Sequence, residues 1–339
     1  MTDSSTGPSK SSPALSVWLV VTPNVLLLDY AGPAEALRMA SDMGGGIDLH
    51  TCAASAAIPT TLGVGLAGLE PLPTVLPPNS LLIVVGNGNE EQDYQTAAAN
   101  AVVRWLQKVP LTDTRLGSIC SGALLLAKAG HLAGHRCTTH HSLLDELKEA
   151  APTADVADDR IFIDDGRVLT SAGISTGIDL ALHIIEQHAG PELAARVARR
   201  LVVYQRRGPN DPQISPWLAW RNHMHPAVHR AQDALSRDPA RAWTLTELAA
   251  EACVSARHLS RLFSQHAGIG IVAYQQQIRI ALARDLLMRT PSLSVERVAE
   301  QSGFASTRDF RRVWQRYAPG TPGQARSVAT ASARPSSGR

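Results

Sequence analysis

At 339 residues the chain is longer than one ordinary domain of roughly 100 to 200 residues, so two domains are expected. With 44% of its residues hydrophobic and 18% charged it can bury sizeable cores. Its longest apolar runs, such as Leu81 to Val85 and Leu124 to Ala127, fall far short of the ~20 residues that cross a bilayer, which excludes a membrane-spanning protein. The net charge of +2 conceals a polarity: residues 1–205 carry 13 Lys and Arg against 21 Asp and Glu, and residues 206–339 carry 19 arginines against 9 acids.

The opening segment Met1 to Pro13 is rich in Ser, Thr and Pro, with a single Lys10 and no apolar core. It reads as a disordered tail over 1–14 and not as a secretory signal, so a cytoplasmic location is expected. From Ser16 to about His188 short β-rich apolar runs alternate with helical stretches, the pattern of a mostly parallel sheet covered by helices. Strands are predicted at Val17 to Val21, Ile47 to Cys52, Leu81 to Val85, Arg115 to Ile119 and Val168 to Ser171. Helices are predicted at Ala34 to Ser41, Ala97 to Lys108, Gly122 to Ala129, Ser142 to Ala150, Gly177 to His188 and Glu192 to Val203. The fold class is therefore α/β over 15–205, a sandwich of flavodoxin-like type. Gly208-Pro209-Asn210-Asp211-Pro212 then punctuates a linker over 206–224.

Beyond the linker no strand pattern survives, and 225–326 reads as an all-α domain that repeats itself. Leu248-Ala249 aligns with Val298-Ala299, Cys253-Val254 with Gly303-Phe304, and Phe263 with Trp314. In the first copy Thr244-Leu245-Thr246-Glu247 is a capping box that opens a short helix, a turn follows at Cys253, and Ala256 to His266 buries Leu259, Leu262 and Phe263. The second copy starts at Ser294, turns at Ser302-Gly303-Phe304 and runs Ser306 to Tyr317 with Phe310, Val313 and Trp314 inward. Each copy is a helix-turn-helix, joined to the other by a helix over Val272 to Arg289. The spacing leaves Arg257, His258, Ser260 and Arg261, and then Thr307, Arg308, Asp309, Arg311 and Arg312, free to meet a ligand. Arginine can donate two hydrogen bonds to guanine in the major groove, and two such helices fall in successive grooves about 34 Å apart. Duplex DNA is the partner this implies, and residues 327–339 are expected to form a second disordered tail.

In the α/β domain the stretch Arg115 to Leu124 sets Cys120 where a strand turns into a helix, with Ser118, Ser121 and Gly122 small enough to permit a nucleophile elbow. The helix dipole there favours a reactive thiolate, while the alternative is a small buried hydrophobe. Asp29 by itself reads as a helix-entry cap. Cys52, Cys120, Cys137 and Cys253 form no C-x-x-C pair, and His135, Cys137, His140 and His141 have no recognised ligand spacing, so no metal and no cofactor is expected.

On these motifs the chain resembles two known families. Residues Ala227 to Arg326 are similar to the AraC/XylS family of bacterial transcription regulators, through Ile278-Arg279-Ile280-Ala281-Leu282-Ala283-Arg284-Asp285-Leu286-Leu287, Val298-Ala299-Glu300-Gln301-Ser302-Gly303-Phe304 and Thr321-Pro322. That resemblance implies promoter DNA and RNA polymerase as partners, and DNA contact by Arg257, Ser260, Arg261, Thr307, Arg308, Asp309 and Arg312. Residues 16–205 resemble the ThiJ/PfpI superfamily, in particular isocyanide hydratase and the sensor domains of GlxA-type regulators. Leu28-Asp29-Tyr30-Ala31-Gly32-Pro33, the cysteine elbow, Cys137-Thr138-Thr139-His140 and Ser171 to Asp179 carry it. The resemblance implies a homodimerising domain with an effector pocket of Asp29, Cys120, Ser121, His140, Gly173, Ile174 and Thr176, in which Asp29 sits at the acid position that hydrogen-bonds the elbow cysteine. Where catalytic relatives have Gly-Gly, the chain has Gly86-Asn87. The function expected is a transcription regulator, with activation the expected sense, that senses a small metabolite. The alternatives are a cysteine-dependent hydratase or amidase-like enzyme, with Cys120 and Asp29 catalytic and a DNA-binding tail, and an α/β domain that serves only to dimerise.

Overall fold

A computed structural model describes residues 14–88, 95–203, 207–209, 211–290, 292–318 and 320–331. Two compact units meet in sequence between Gln213 and Ile214, inside the segment expected as a linker.

The first unit runs β1 (Leu15–Val20), α1 (Leu27–Asp42), β2 (Ile47–Ala53), β3 (Ala57–Pro59), β4 (Gly65–Ala67), β5 (Glu70–Pro71), β6 (Ser80–Val84), α2 (Ala97–Leu106), β7 (Thr114–Ile119) and α3 (Gly122–Lys128). It continues through β8 (Arg136–Cys137), α4 (Leu144–Ala150), β9 (Asp155–Val156), β10 (Phe162–Asp164), β11 (Val168–Ser171), α5 (Thr176–Ala189) and α6 (Pro191–Arg200). Among the described residues, a seven-stranded sheet has the order β10-β11-β7-β6-β1-β2-β5, parallel except for β10 against β11. Its central strands are buried on both faces, which is why they read as unbroken apolar runs. Val17, Leu19, Leu81 and Ile83 point into the layer shared with α1, α5 and α6, and Trp18, Val20, Leu82 and Val84 into the layer shared with α2, α3 and α4.

Each strand predicted from the sequence forms, within a residue or two. The short strands β3, β4, β5, β8, β9 and β10 went unread, because two or three residues give no period to detect. Helix α1 starts at Leu27 and not at Ala34, with Pro33 inside it. A proline punctuates a sequence strongly, and here it sits beyond the true start of the helix. The amino-terminal tail, 1–13, lies outside the described residues, as do 206 and 210 of the expected linker. From 327 onward, where a tail was expected, helix persists to Ala331; residues 332–339 lie outside the described residues.

The second unit is all-α: α7 (Pro216–Ala219), α8 (Pro226–Arg237), α9 (Leu245–Glu251), α10 (Ala256–Ala267), α11 (Ile271–Arg289), α12 (Val295–Gln301), α13 (Thr307–Tyr317) and α14 (Pro322–Ala331). One apolar core gathers α8, α9, α10 and the amino-terminal half of α11, and another gathers the rest of α11 with α12 and α13. Trp217 and Trp220, in the expected linker, pack against the first core, and the Trp220 indole donates to Gln277 Oε1 at 2.9 Å.

Candidate functional site

In an open α/β sheet ligands bind beyond the carboxyl ends of the strands, near the point where strand order reverses. Here β1 is flanked by β2 and β6, and Asp29, Gly86, Cys120 and Gly173 follow β1, β6, β7 and β11 at that end. Cys120 has φ +55°, the left-handed turn that a strand-to-helix elbow requires. Its N–H donates to Ser171 O at 2.9 Å, and its carbonyl accepts from Thr139 Oγ1 at 2.8 Å. Asp29 lies in the first turn of α1 but caps nothing: the N-cap is Leu26, and Asp29 Oδ1 accepts the backbone N–H of Ile174. Ile174 is itself left-handed at φ +53°, so two strained residues face one another across the carboxylate.

Two glycines make this arrangement possible. A Cβ at Gly86 would lie 2.6 Å from Asp29 Oδ2 and 2.8 Å from Cys120 Cβ, so that glycine brings acid and thiol against the same backbone atom. A Cβ at Gly173 would overlap Cys120 Cβ and come within 2.8 Å of its Sγ. Cys120 and Asp29 are consequently fully buried.

Burial, with the Asp29 charge second, pushes the Cys120 thiol well above its ordinary range. Enclosure beside a carboxylate thus opposes the pull of the α3 dipole toward the thiolate. Burial likewise raises the Asp29 carboxyl to about 6, against the opposing hydrogen bonds of Ile174 and Cys120. A folded-state pKa above the unfolded one gives stability that is present below the ordinary carboxylate range and lost as pH rises through about 6. Lifting a carboxyl from its ordinary range to about 6 is worth about 3 kcal/mol between its two protonation states. Asp29→Asn, which keeps an oxygen for Ile174, is expected to melt like wild type near pH 4 and to be more stable by about 2–3 kcal/mol at pH 7.5. A gap between the two melting curves that does not widen with pH would exclude this.

The other pocket residues are placed unequally. Thr176 Oγ1 donates to Gly173 O at 2.9 Å, holding the loop over the thiol. Ser121 Oγ accepts the Asn87 N–H at 3.0 Å, and Asn87 Nδ2 donates to Thr22 Oγ1 at 3.2 Å. The backbone donor after β6 is thus occupied within the protein. His140 is half-buried; its ring bonds Ser142 Oγ at 2.7 Å and packs on His141, with centroids 4.2 Å apart. Burial, followed by the neighbouring His141, lowers its pKa. Its chain neighbour Thr139, and not His140, reaches Cys120. Among the described residues no group of three or more His, Cys, Asp or Glu side chains is placed to hold a metal ion.

Sequence reasoning missed a strap. Arg207 lays its N–H on Asp179 Oδ1 at 3.0 Å and its guanidinium on Asp179 Oδ2 at 2.6 and 3.0 Å, with Ser175 Oγ at 2.9 Å. Gln213 Nε2 donates to Thr139 O at 2.9 Å and to Arg160 O at 3.0 Å, and Ile161 N–H donates to Asp211 O. The strap is therefore tied to both walls of the Cys120 site, at Ser175–Asp179 and at Thr139.

In the helical unit both repeats turn alike. Cys253 (φ +57°) and Gly303 (φ +81°) occupy the same left-handed position, and Ser255 and Ser306 cap the following helices by accepting His258 and Asp309 N–H. Thr244 and Glu247 form the predicted capping box. Arg257, Ser260, Arg261, Arg308 and Arg312 are exposed, with Thr307 and Asp309 half-buried. Arg312 pairs with Asp309 at 2.6 Å, and Arg261 lies 3.2 Å from His258 Nδ1.

Comparison with known proteins agrees with both halves. Residues 15–187 match the DJ-1/PfpI family and residues 248–327 match a helix-turn-helix domain. The chain is 31% identical to the HTH-type transcriptional regulator GlxA of Rhizobium meliloti over 89% of its own length and 93% of that protein. It is 28% identical to the regulator GbdR of Pseudomonas aeruginosa over 91% of this chain and 83% of that one. Isonitrile hydratase of Pseudomonas putida is 31% identical, over 56% of this chain and 78% of the enzyme. The chain belongs to the DJ-1/PfpI family and, within it, to the HTH-type transcriptional regulators that join such a domain to an AraC-type helix-turn-helix unit. It is a DNA-binding transcription regulator, and no helix among its described residues is long and apolar enough to cross a membrane.

Proposed function

We propose that this regulator senses a small metabolite at the Asp29–Cys120 site and passes its occupancy to the DNA-binding unit through the strap. The observation that carries this is the strap itself: the peptide that leads to Ile214 is bonded to both walls of the site. A ligand acts on a distant equilibrium only through its different affinity for two states. Displacing the Gly173–Ile174 loop shifts the start of α5, and with it the Asp179 that holds Arg207. In the helical unit Arg257, Ser260, Arg261, Thr307, Arg308, Asp309 and Arg312 read promoter DNA, the arginines dividing between base edges and phosphates. The α/β unit pairs the chain into a cytoplasmic homodimer, and the DNA-bound regulator engages RNA polymerase.

The enzyme reading has one observation in its favour, the retained pairing of Asp29 with Cys120. Turnover needs a nucleophile, a proton donor and an anion cradle. The enclosed thiol, whose pKa burial raises, and the occupied Asn87 N–H weigh against the first and the last. Candidate isocyanides, amides and amino-acid-derived amines are to be screened against the full chain by thermal shift and mass spectrometry. A binder is expected to raise the melting temperature by about 3 °C or more without multiple turnovers, and Cys120→Ala to abolish the shift. Multiple turnovers lost in Cys120→Ser would replace the sensor by an enzyme.

A further inference from the structure

Helix α11 passes from one core to the other at a single residue. Tyr274 and Ile278 lie in the first core, Ile280, Ala283 and Leu287 in the second, and Arg279 stands between them. Its guanidinium donates to Pro239 O at 2.9 Å and Arg241 O at 2.8 Å, both in the loop between α8 and α9 of the first half. The same group lies 6.0 Å from the ring centroid of Phe304, in the turn between α12 and α13 of the second half. One side chain thus bridges the two halves of the helical unit. Beside it the backbones meet directly: a Cβ at Gly303 would overlap Ala240 O and come within 2.7 Å of Ala240 Cα. The loop on which Arg279 closes is itself fixed, since Arg241 pairs with Glu247 of the α9 capping box at 2.8 Å and its guanidinium lies 3.9 Å from the Trp243 ring centroid.

Two cores joined by one helix would bend and twist about it, because a single helix resists torsion less than a packed interface does. We infer that Arg279, with the side-chain-free Gly303 beside it, is a specificity determinant: it locks the two motifs into one rigid reading head, which accepts a single separation of the two DNA segments read by α10 and α13. This rests on the proposed role of α10 and α13 as the reading helices. One inserted base pair moves the second segment by about 3.4 Å and turns it about the duplex axis, a change that a rigid head cannot follow.

The test uses the full chain. Duplexes are enriched from a random-sequence pool, the two contacted segments are located by footprinting, and affinities are measured for the selected site and for versions with one or two base pairs inserted between the segments. Wild type is expected to lose at least about tenfold for one insertion. Arg279→Leu is expected to bind the selected site several-fold more weakly and to shrink the insertion penalty to within about threefold, and Gly303→Ala to act in the same direction. Arg279→Lys, which can reach one carbonyl at a time, falls between. A uniform loss of affinity with the insertion penalty unchanged would overturn the clasp and leave the reading helices standing. Failure of wild type to enrich any duplex would overturn the reading helices and the clasp with them. Should Arg279→Leu lose its cooperative melt, Arg279→Lys and Gly303→Ala decide by the same penalty.

Discussion

Replacing Gly173 by alanine is expected to destabilise the α/β unit by about 2–5 kcal/mol. The left-handed backbone at φ +82° disfavours any Cβ by about 1–2 kcal/mol. The added methyl also overlaps Cys120 Cβ, and overpacking of this kind costs typically 1–3 kcal/mol. Cys120 cannot yield, because its N–H is held by Ser171 and its carbonyl by Thr139. Hydrogen exchange of the full chain checks this peptide by peptide: protection over 80–185 should fall while protection over 245–318 stays. The double variant Gly173→Ala with Cys120→Gly should recover part of the loss, since it removes the opposing Cβ and relaxes the elbow's positive φ. Wild-type protection in the single variant would show that the loop is not seated on the thiol.

Arg207→Ala is expected to cost about 2–4 kcal/mol and to disconnect sensing from DNA binding. Asp179 is buried, and burial holds its carboxyl above the ordinary range even with Arg207 present. Removing one partner of a buried pair leaves an uncompensated charge, and solvent moderates the loss because Arg207 is about a third exposed. Asp179→Asn in the same chain should restore stability, since nothing charged is then stranded, but should not restore coupling, since the strap stays untied. Promoter output that no longer responds to a binder found by thermal shift, in both variants, is the expected result. A full response in Arg207→Ala would remove the strap from the pathway.

The parts that were legible in the sequence are those set by local physics. β1 and β6 announce themselves because burial on two faces demands apolar runs, and the two helix-turn-helix motifs because each repeats its caps and its inward positions. The elbow at Cys120 is legible from small residues between a strand and a helix. The state of its thiol is not, since enclosure comes from Gly86 and Gly173, far away in the chain. The strap was hidden for a related reason. Gly208-Pro209-Asn210-Asp211-Pro212 signals turns but not the surface they lie on, and the partners Asp179 and Arg207 carry no mark of one another. Arg279 is visible as a member of a helix motif, but the carbonyls it holds come from a loop whose position only the folded unit defines.

The sharp turns that open α10 and α13 differ in one practical respect. The second uses glycine, but the first uses Cys253, whose side chain is exposed while Cys52, Cys120 and Cys137 are buried. A thiol-directed dye under native conditions should therefore settle at the foot of α10 and leave the interior sulfurs untouched. The wild-type chain carries its own attachment point beside the helix proposed to read DNA, so occupancy of a promoter should be measurable by fluorescence without engineered cysteines. Storage without reductant, by the same chemistry, invites cross-linking of two chains through that surface.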